Sequence, residues 1–234
     1  MTRALPIMAL AAILAVPCLA AAAPLQACTA PARIAPARSA PPPPAEIVRD
    51  VPIAAYMLAL TWSPEWCRTR HNAPDAQFQC RQNHLGFVVH GLWPNGRGKR
   101  HPRYCAPAPA LSAATVRKHY CMTPSADLQQ HEWAAHGACG WRTPEAYFDR
   151  AQALWAAIDA PDLAFPPGRT VTAGDVRDAF LARNPRLRRS GIFLKVGDGN
   201  RLMEARLCYD LQFRPAACPG GLGAPDQARI RVQH

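Results

Sequence analysis

Lysine is scarce in this chain: Lys99, Lys118 and Lys195 are the only three among 27 basic residues. Acidic residues are scarce too, 16 in 234, which leaves a formal net charge of +11. A surplus of this size, carried on guanidinium groups that pair well with phosphate and carboxylate oxygens, points to polyanionic partners and says nothing about fold. Beyond residue 23 no apolar run is long enough to span a bilayer. There is no internal repeat. Segments that read as strands and helices do not alternate regularly, which argues against a doubly wound parallel sheet. Disorder throughout the chain is excluded by a hydrophobic content of 49%. An all-helical bundle is disfavoured by 25 prolines.

What is present begins with an export signature. Met1-Thr2-Arg3 supplies a short positive start, and residues 4–23 are uncharged, apolar and end in small residues. We read residues 1–23 as a secretory signal peptide, cleaved near Ala20 to Ala23; Pro17 and the alanine-rich end weigh against a permanent membrane anchor. Residues 24–47 read as an Ala/Pro-rich linker or disordered arm, and residues 48–234 as one catalytic domain. Nine cysteines are many for a cytosolic protein and ordinary for an exported one. Leu25-Gln26-Ala27-Cys28 resembles a lipoprotein lipobox, which would place a lipid anchor on Cys28. Parity favours a soluble exported protein instead. With Cys18 set aside in the leader, Cys28, Cys67, Cys80, Cys105, Cys121, Cys139, Cys208 and Cys218 make an even eight, enough for four bridges. Cys67 and Cys80, and Cys208 and Cys218, are close enough to close short loops, though spacing alone does not fix connectivity.

Tyr56 to Trp62 and Leu85 to His90 read as strands. Ser112 to Tyr120 and Ser125 to Gly137 read as helices. Thr143-Pro144-Glu145 opens a third, with a capping hydroxyl, proline at the first position and then an acid; it runs to about Ile158. Thr172 starts a fourth, ending near Arg183. Ile192 to Val196 and Leu202 to Phe213 read as a hairpin around Gly197-Asp198-Gly199-Asn200. The fold class expected is α+β, with a central antiparallel sheet flanked by helices and stapled by disulfides.

Two clusters carry candidate chemistry. His90-Gly91-Leu92-Trp93-Pro94-Asn95 places a histidine where the chain is expected to leave a strand, so its ring can face a cleft. Trp93 beside it suits stacking on a base or plugging the core. The second cluster is His131-Glu132-Trp133-Ala134-Ala135-His136-Gly137-Ala138-Cys139. It is not the H-E-x-x-H zinc motif: its histidines stand at i and i+5, about 140° apart on an α-helix. Glu132 and His136, at i and i+4, share a face, and a carboxylate beside an imidazole orients it and raises its pKa. That favours general acid–base work over metal binding. Histidines, one glutamate and an arginine-rich surface suit metal-free cleavage of a phosphodiester, in which one imidazole takes a proton from a ribose 2′-hydroxyl and another gives one to the departing 5′-oxygen.

HGLWPN and HEWAAHGAC, in that order and about 40 residues apart, resemble the two active-site boxes of the ribonuclease T2 family. The resemblance extends upstream to Leu58 through Cys67 and downstream to Leu202 through Cys218, covering roughly residues 53–220. It implies an endoribonuclease of low base specificity, acting on single-stranded RNA through a 2′,3′-cyclic phosphate, with no metal or other cofactor. His90 and His136 match the paired acid–base histidines, His136 as base and His90 as acid. Glu132 matches a glutamate that assists near the phosphate, His131 a histidine that contacts it. Trp93 and Asn95 match positions near a base pocket. Cys139 is matched to a partner between the boxes, Cys105 in preference to Cys121. The family often has lysine where this chain has Ala135; Arg97, Arg100 or Arg103 is the expected substitute for that charge. The chain is expected to be a monomer with RNA as substrate. The competing reading is a non-catalytic exported protein of the same fold that binds RNA or another polyanion.

Overall fold

A computed structural model describes residues 28–83 and 85–234. The proposed signal peptide lies outside the described residues. Four antiparallel strands form the central sheet in the order β2-β1-β5-β4: β1 (Ala55–Trp62), β2 (Phe87–Asn95), β4 (Ile192–Gly197) and β5 (Arg201–Tyr209). Two short strands, β3 (Val171–Thr172) and β6 (Arg229–Ile230), pair separately. The helices are α1 (Ser63–Cys67), α2 (Ala113–His119), α3 (Ala126–Glu132), α4 (Ala138–Gly140), α5 (Pro144–Ala156) and α6 (Ala173–Arg183). The α+β class expected from the sequence is the one observed.

Local chemistry explains where these helices begin. Ser112, Ser125 and Thr143 each accept a hydrogen bond from a backbone N–H three residues on, starting α2, α3 and α5. Thr172 and Asp175 form a reciprocal capping box at the start of α6. Leu58, Leu60, Phe87, Val89, Leu194 and Leu207 point to one side of the sheet and are buried. Tyr147, Phe148 and Leu154 of α5 and Val176 and Phe180 of α6 close over that side, with Phe87 and Phe180 rings 5.2 Å apart. Period-2 alternation sends their neighbours to the opposite face, where Ala59 and Thr61 of β1, Glu204 and Arg206 of β5 and Phe193 and Lys195 of β4 lie in register. This second face carries the candidate site.

Strand β2 is longer than the sequence reading made it. His90 does not end the strand; it is the extra residue of a β-bulge. Ala59 pairs with Gly91 and Leu60 with Val89, so His90 has no partner across the ladder. The bulge reverses the alternation: Phe87 and Val89 face the core before it, and Leu92 after it. Trp93 is thereby turned to the site face. The outer edge of β2 is covered, because Val89 N–H donates to Met122 O, Thr123 Oγ1 to Val89 O, and Leu92 N–H to the Tyr147 hydroxyl.

Four disulfides staple the domain: Cys28–Cys121, Cys67–Cys80, Cys105–Cys139 and Cys208–Cys218. The two short-loop pairings and the preferred Cys105–Cys139 pairing are all found. Cys28 sulfur is bonded to Cys121, so the lipid-anchor reading, which needs that same sulfur, does not fit this structure. Residues 29–47, expected as a linker or disordered arm, are mostly irregular but tied to the domain. Arg38 pairs with Asp127, Arg117 donates to the carbonyls of Pro31 and Ala32, and Ile34 and Ala37 pack on the core.

Candidate active site

The two sequence clusters meet. His90 comes from the bulge of β2, and Glu132, His131 and His136 from the end of α3 and the turn that follows. That turn, Trp133–Gly137, is a π-helix rather than a continuation of α3. The 140° separation expected for an α-helix therefore does not hold, and the His131 and His136 rings stand edge to face with centroids 6.5 Å apart. Among the described residues, no group of three or more His, Cys, Asp or Glu side chains is arranged to hold a metal ion. Gly137 lets this widened turn sit against its neighbours: a Cβ there would lie 2.5 Å from the Trp133 ring and 2.8 Å from Tyr147.

Trp93 is the centre of the site. Its ring centroid lies 5.3 Å from His90 and 5.5 Å from His136, so the two histidines lie near one indole. Trp93 Nε1–H donates to Glu132 Oε2 at 2.7 Å, and His90 Nε2 lies 3.4 Å from Glu132 Oε1. Glu132 is buried, and its carboxylate occupies the space left by Gly91. Asn95 is buried, and its Nδ2–H donates to the carbonyl of Trp93, so it shapes the backbone beside the indole.

Sequence reasoning did not single out two residues on β5. Glu204 Oε1 accepts from His90 Nδ1 at 3.2 Å. Arg206 donates to Glu204 Oε2 and lies over the Trp93 and Phe193 rings, 4.7 and 5.3 Å from their centroids. The signal that points to them is the pair of opposite charges two residues apart inside Leu202-Met203-Glu204-Ala205-Arg206-Leu207, a strand buried on both faces.

The environments separate the two histidines. Burial works against a charge on His90, but the hydrogen bond it donates to Glu204 and the charges of Glu132 and Glu204 outweigh it, and its pKa rises above the ordinary imidazole value. Burial, then the nearby cations Arg103, His131 and His90, hold His136 well below that value. His131 is lowered by burial and by Arg103. Burial pushes Glu132 up to about 7. Glu204 is the converse. Burial would raise it, yet hydrogen bonds and charge from His90 and Arg206 bring it down to about 2.

A cleft of about 1000 Å³ opens beside His136 and Trp93, and its wall includes Arg97, Arg100, Arg103 and Arg206. Of the three arginines expected to replace the missing lysine, Arg103 is the one whose charge reaches His131, Glu132 and His136. Its backbone is pinned to Val48 by two hydrogen bonds of 2.8 Å, and its guanidinium pairs with Glu46 at 2.8 Å. Arg100 pairs with Asp50 at the exposed rim. Ala135 is fully buried, and its carbonyl accepts from Tyr104 N–H.

Such an assembly defines a class: a disulfide-stapled α+β domain in which two histidines of opposed basicity lie near one indole, with that indole and His136 lining an arginine-walled cleft. The model of the Ribonuclease T2 family matches residues 53–164. A probable ribonuclease of Haemophilus influenzae is 30% identical over 179 residues, which are 71% of this chain and 61% of that protein. Ribonuclease I of Escherichia coli is 30% identical over 168 residues, 53% of this chain and 63% of that protein. The chain thus spans somewhat under two thirds of the length of these relatives. The solved structure of an RNase-related protein from Calystegia sepium has the same fold, with a TM-score of 0.61 at 18% identity, over 78% of this chain and 98% of that one. By the family model and by these relatives, the chain is similar to the ribonuclease T2 family over its first active-site box, its second and the strand before them.

Proposed function

We propose that this protein is an endoribonuclease that cleaves single-stranded RNA by metal-independent transesterification. The observation that carries the reading is the approach of both His90 and His136 to the one Trp93 indole, at 5.3 and 5.5 Å between ring centroids, with opposed pKa shifts. His136, neutral at mildly acidic pH, takes the proton of a ribose 2′-hydroxyl. The 2′-oxygen attacks phosphorus, forming the new P–O bond of a 2′,3′-cyclic phosphate as the bond to the 5′-oxygen breaks. His90, charged at the same pH, gives its proton to that leaving oxygen. In the second stage water replaces the leaving group, with the proton transfers reversed, to give a 3′-phosphate.

The remaining residues stabilise charge or hold the substrate. Glu132, near neutrality and next to His90, assists at the phosphate, and His131 contacts a phosphate oxygen. Arg103 supplies the fixed cation beside the developing oxyanion, the place that a lysine at position 135 would take in relatives. Trp93 stacks a base, with Asn95 holding the backbone behind it. No residue in this scheme reads a base edge closely, which fits low base specificity. Four disulfides and the apolar leader fit an exported protein of the periplasm or extracellular space.

Product chemistry tests the proposal. RNA treated with the purified protein in excess EDTA is expected to acquire 2′,3′-cyclic phosphate ends, while DNA of the same sequence stays intact because it lacks the nucleophile. His90→Ala and His136→Ala should each lose at least ~100-fold in kcat. RNA binding without cleavage would instead support a polyanion-binding protein of the same fold.

A further inference from the structure

We propose that Glu204 is a positioning residue: it fixes the ring of His90 through Nδ1 and keeps that imidazole cationic, so that Nε2 is the nitrogen that delivers the proton. The proposal rests on the reading of His90 as the acid toward the 5′-oxygen.

Three observations lead to it. Glu204 sits on β5, an inner strand, and only 5% of it is exposed. A carboxylate in the middle of a sheet carries a large desolvation cost, so a purely structural position there would be served better by an apolar side chain. Its two oxygens have separate partners. Arg206 Nε and Nη2 hold Oε2 at 2.8 and 2.7 Å, while Oε1 meets His90 Nδ1 at 3.2 Å, with Lys195 Nζ farther off at 3.7 Å. His90, as the extra residue of a bulge, has no cross-strand neighbour to set its ring. The Nδ1 contact of 3.2 Å sets it instead.

The titratable and charged groups around His90 include His131 at the end of α3 and His136 in the turn after it, whose own pKa values His90 lowers, and groups of β5, α3 and β4 besides. Glu204 and Arg206 face it from β5 and Glu132 from α3, while Lys195 of β4 lies 3.7 Å from Glu204 Oε1. Glu132 is pushed by burial toward neutrality and is only partly charged near pH 7, whereas Glu204 stays ionised through the whole range in which His90 titrates. Glu204 is therefore the steady counter-charge. An ionised carboxylate accepting at Nδ1 also demands a proton there when the ring is neutral, which leaves Nε2 bare after it has donated.

The test combines NMR and kinetics on the full chain. In the parent protein, ¹⁵N shifts of neutral His90 are expected to show the proton on Nδ1; a proton on Nε2 would overturn the proposal without any variant. In Glu204→Gln, which keeps the side-chain shape, the titration midpoint of His90 should fall by about one pH unit, on the scale of losing one adjacent counter-charge. The basic limb of kcat should fall with it, KM should change little, and Glu204→Asp should move the limb back toward the parent. Loss of kcat by one factor at every pH, with the His90 midpoint unmoved, would mark a merely structural role and overturn the proposal. An inactive parent would count against the ribonuclease reading alone, since the His90 titration is measured without substrate.

Discussion

Gly91 and Glu132 occupy one space: a Cβ on Gly91 would lie 1.9 Å from Glu132 Oε2. The glycine after the first-box histidine is there because the second-box glutamate needs its volume. Gly91→Ala should displace the Glu132 carboxylate and, through it, the Trp93 indole it holds at 2.7 Å. A misplacement of this kind costs on the order of 10²-fold in kcat. Steady-state kinetics beside an unfolding curve check it, and a variant of parental activity would show that Glu132 need not sit there.

Glu132 itself sets activity against stability. Its pKa is near 4.5 in the unfolded chain and about 7 in the fold. Between those values the folded state binds more protons, so stability falls as pH rises and the loss is complete above about pH 7. Glu132→Gln is expected to raise Tm at pH 8, to change it little at pH 4, and to lower kcat at both. Calorimetry at the two pH values distinguishes this from a variant that is simply less stable.

The pH profile of kcat/KM should be a bell with unusually separated limbs. Activity rises as His136 loses its proton, at a pH well below 6.5, and falls as His90 loses its proton, above 6.5. The plateau then covers the mildly acidic range. A profile with a single limb would contradict a two-histidine mechanism.

Arg103→Ala removes the cation beside His136. A drop in kcat on the order of 10²-fold is expected, the scale for one oxyanion-stabilising group. The acid limb of the profile should also move upward, because the positive charge that helps keep His136 unprotonated is gone. A fall in kcat without that movement would place Arg103 away from the base.

Cys28→Ser together with Cys121→Ser opens a link between residues 93 apart in sequence. Loss of about 2–5 kcal/mol of unfolding free energy is expected by chemical denaturation, with kcat retained, since the bridge lies outside the residues assigned to catalysis.

Much of this molecule was legible in its sequence. Ser112, Ser125, Thr143 and Thr172 announced their helices because N-cap chemistry is local. His90, Glu132 and His136 were recognisable because their boxes are contiguous. The misses have a common cause in non-local structure. The bulge at His90 is a register shift against β1, and register is a property of two strands together. Glu204 and Arg206 look like stray charges until the sheet places them beside His90 and Trp93, more than 100 residues earlier in the chain. The arm of residues 29–47 has the composition of a linker, and nothing within it signals that Cys28 bonds to Cys121.

The π turn at Trp133–Gly137 has a further consequence. In a turn closed by i→i+5 hydrogen bonds, residues five apart come nearly over one another, and the His131 and His136 ring centroids stand 6.5 Å apart. Deleting Ala134 would leave the two histidines four residues apart, so that a regular α-helix would then hold them on one face. The widened turn and the five-residue spacing therefore belong together, since each corrects the offset that the other alone would leave.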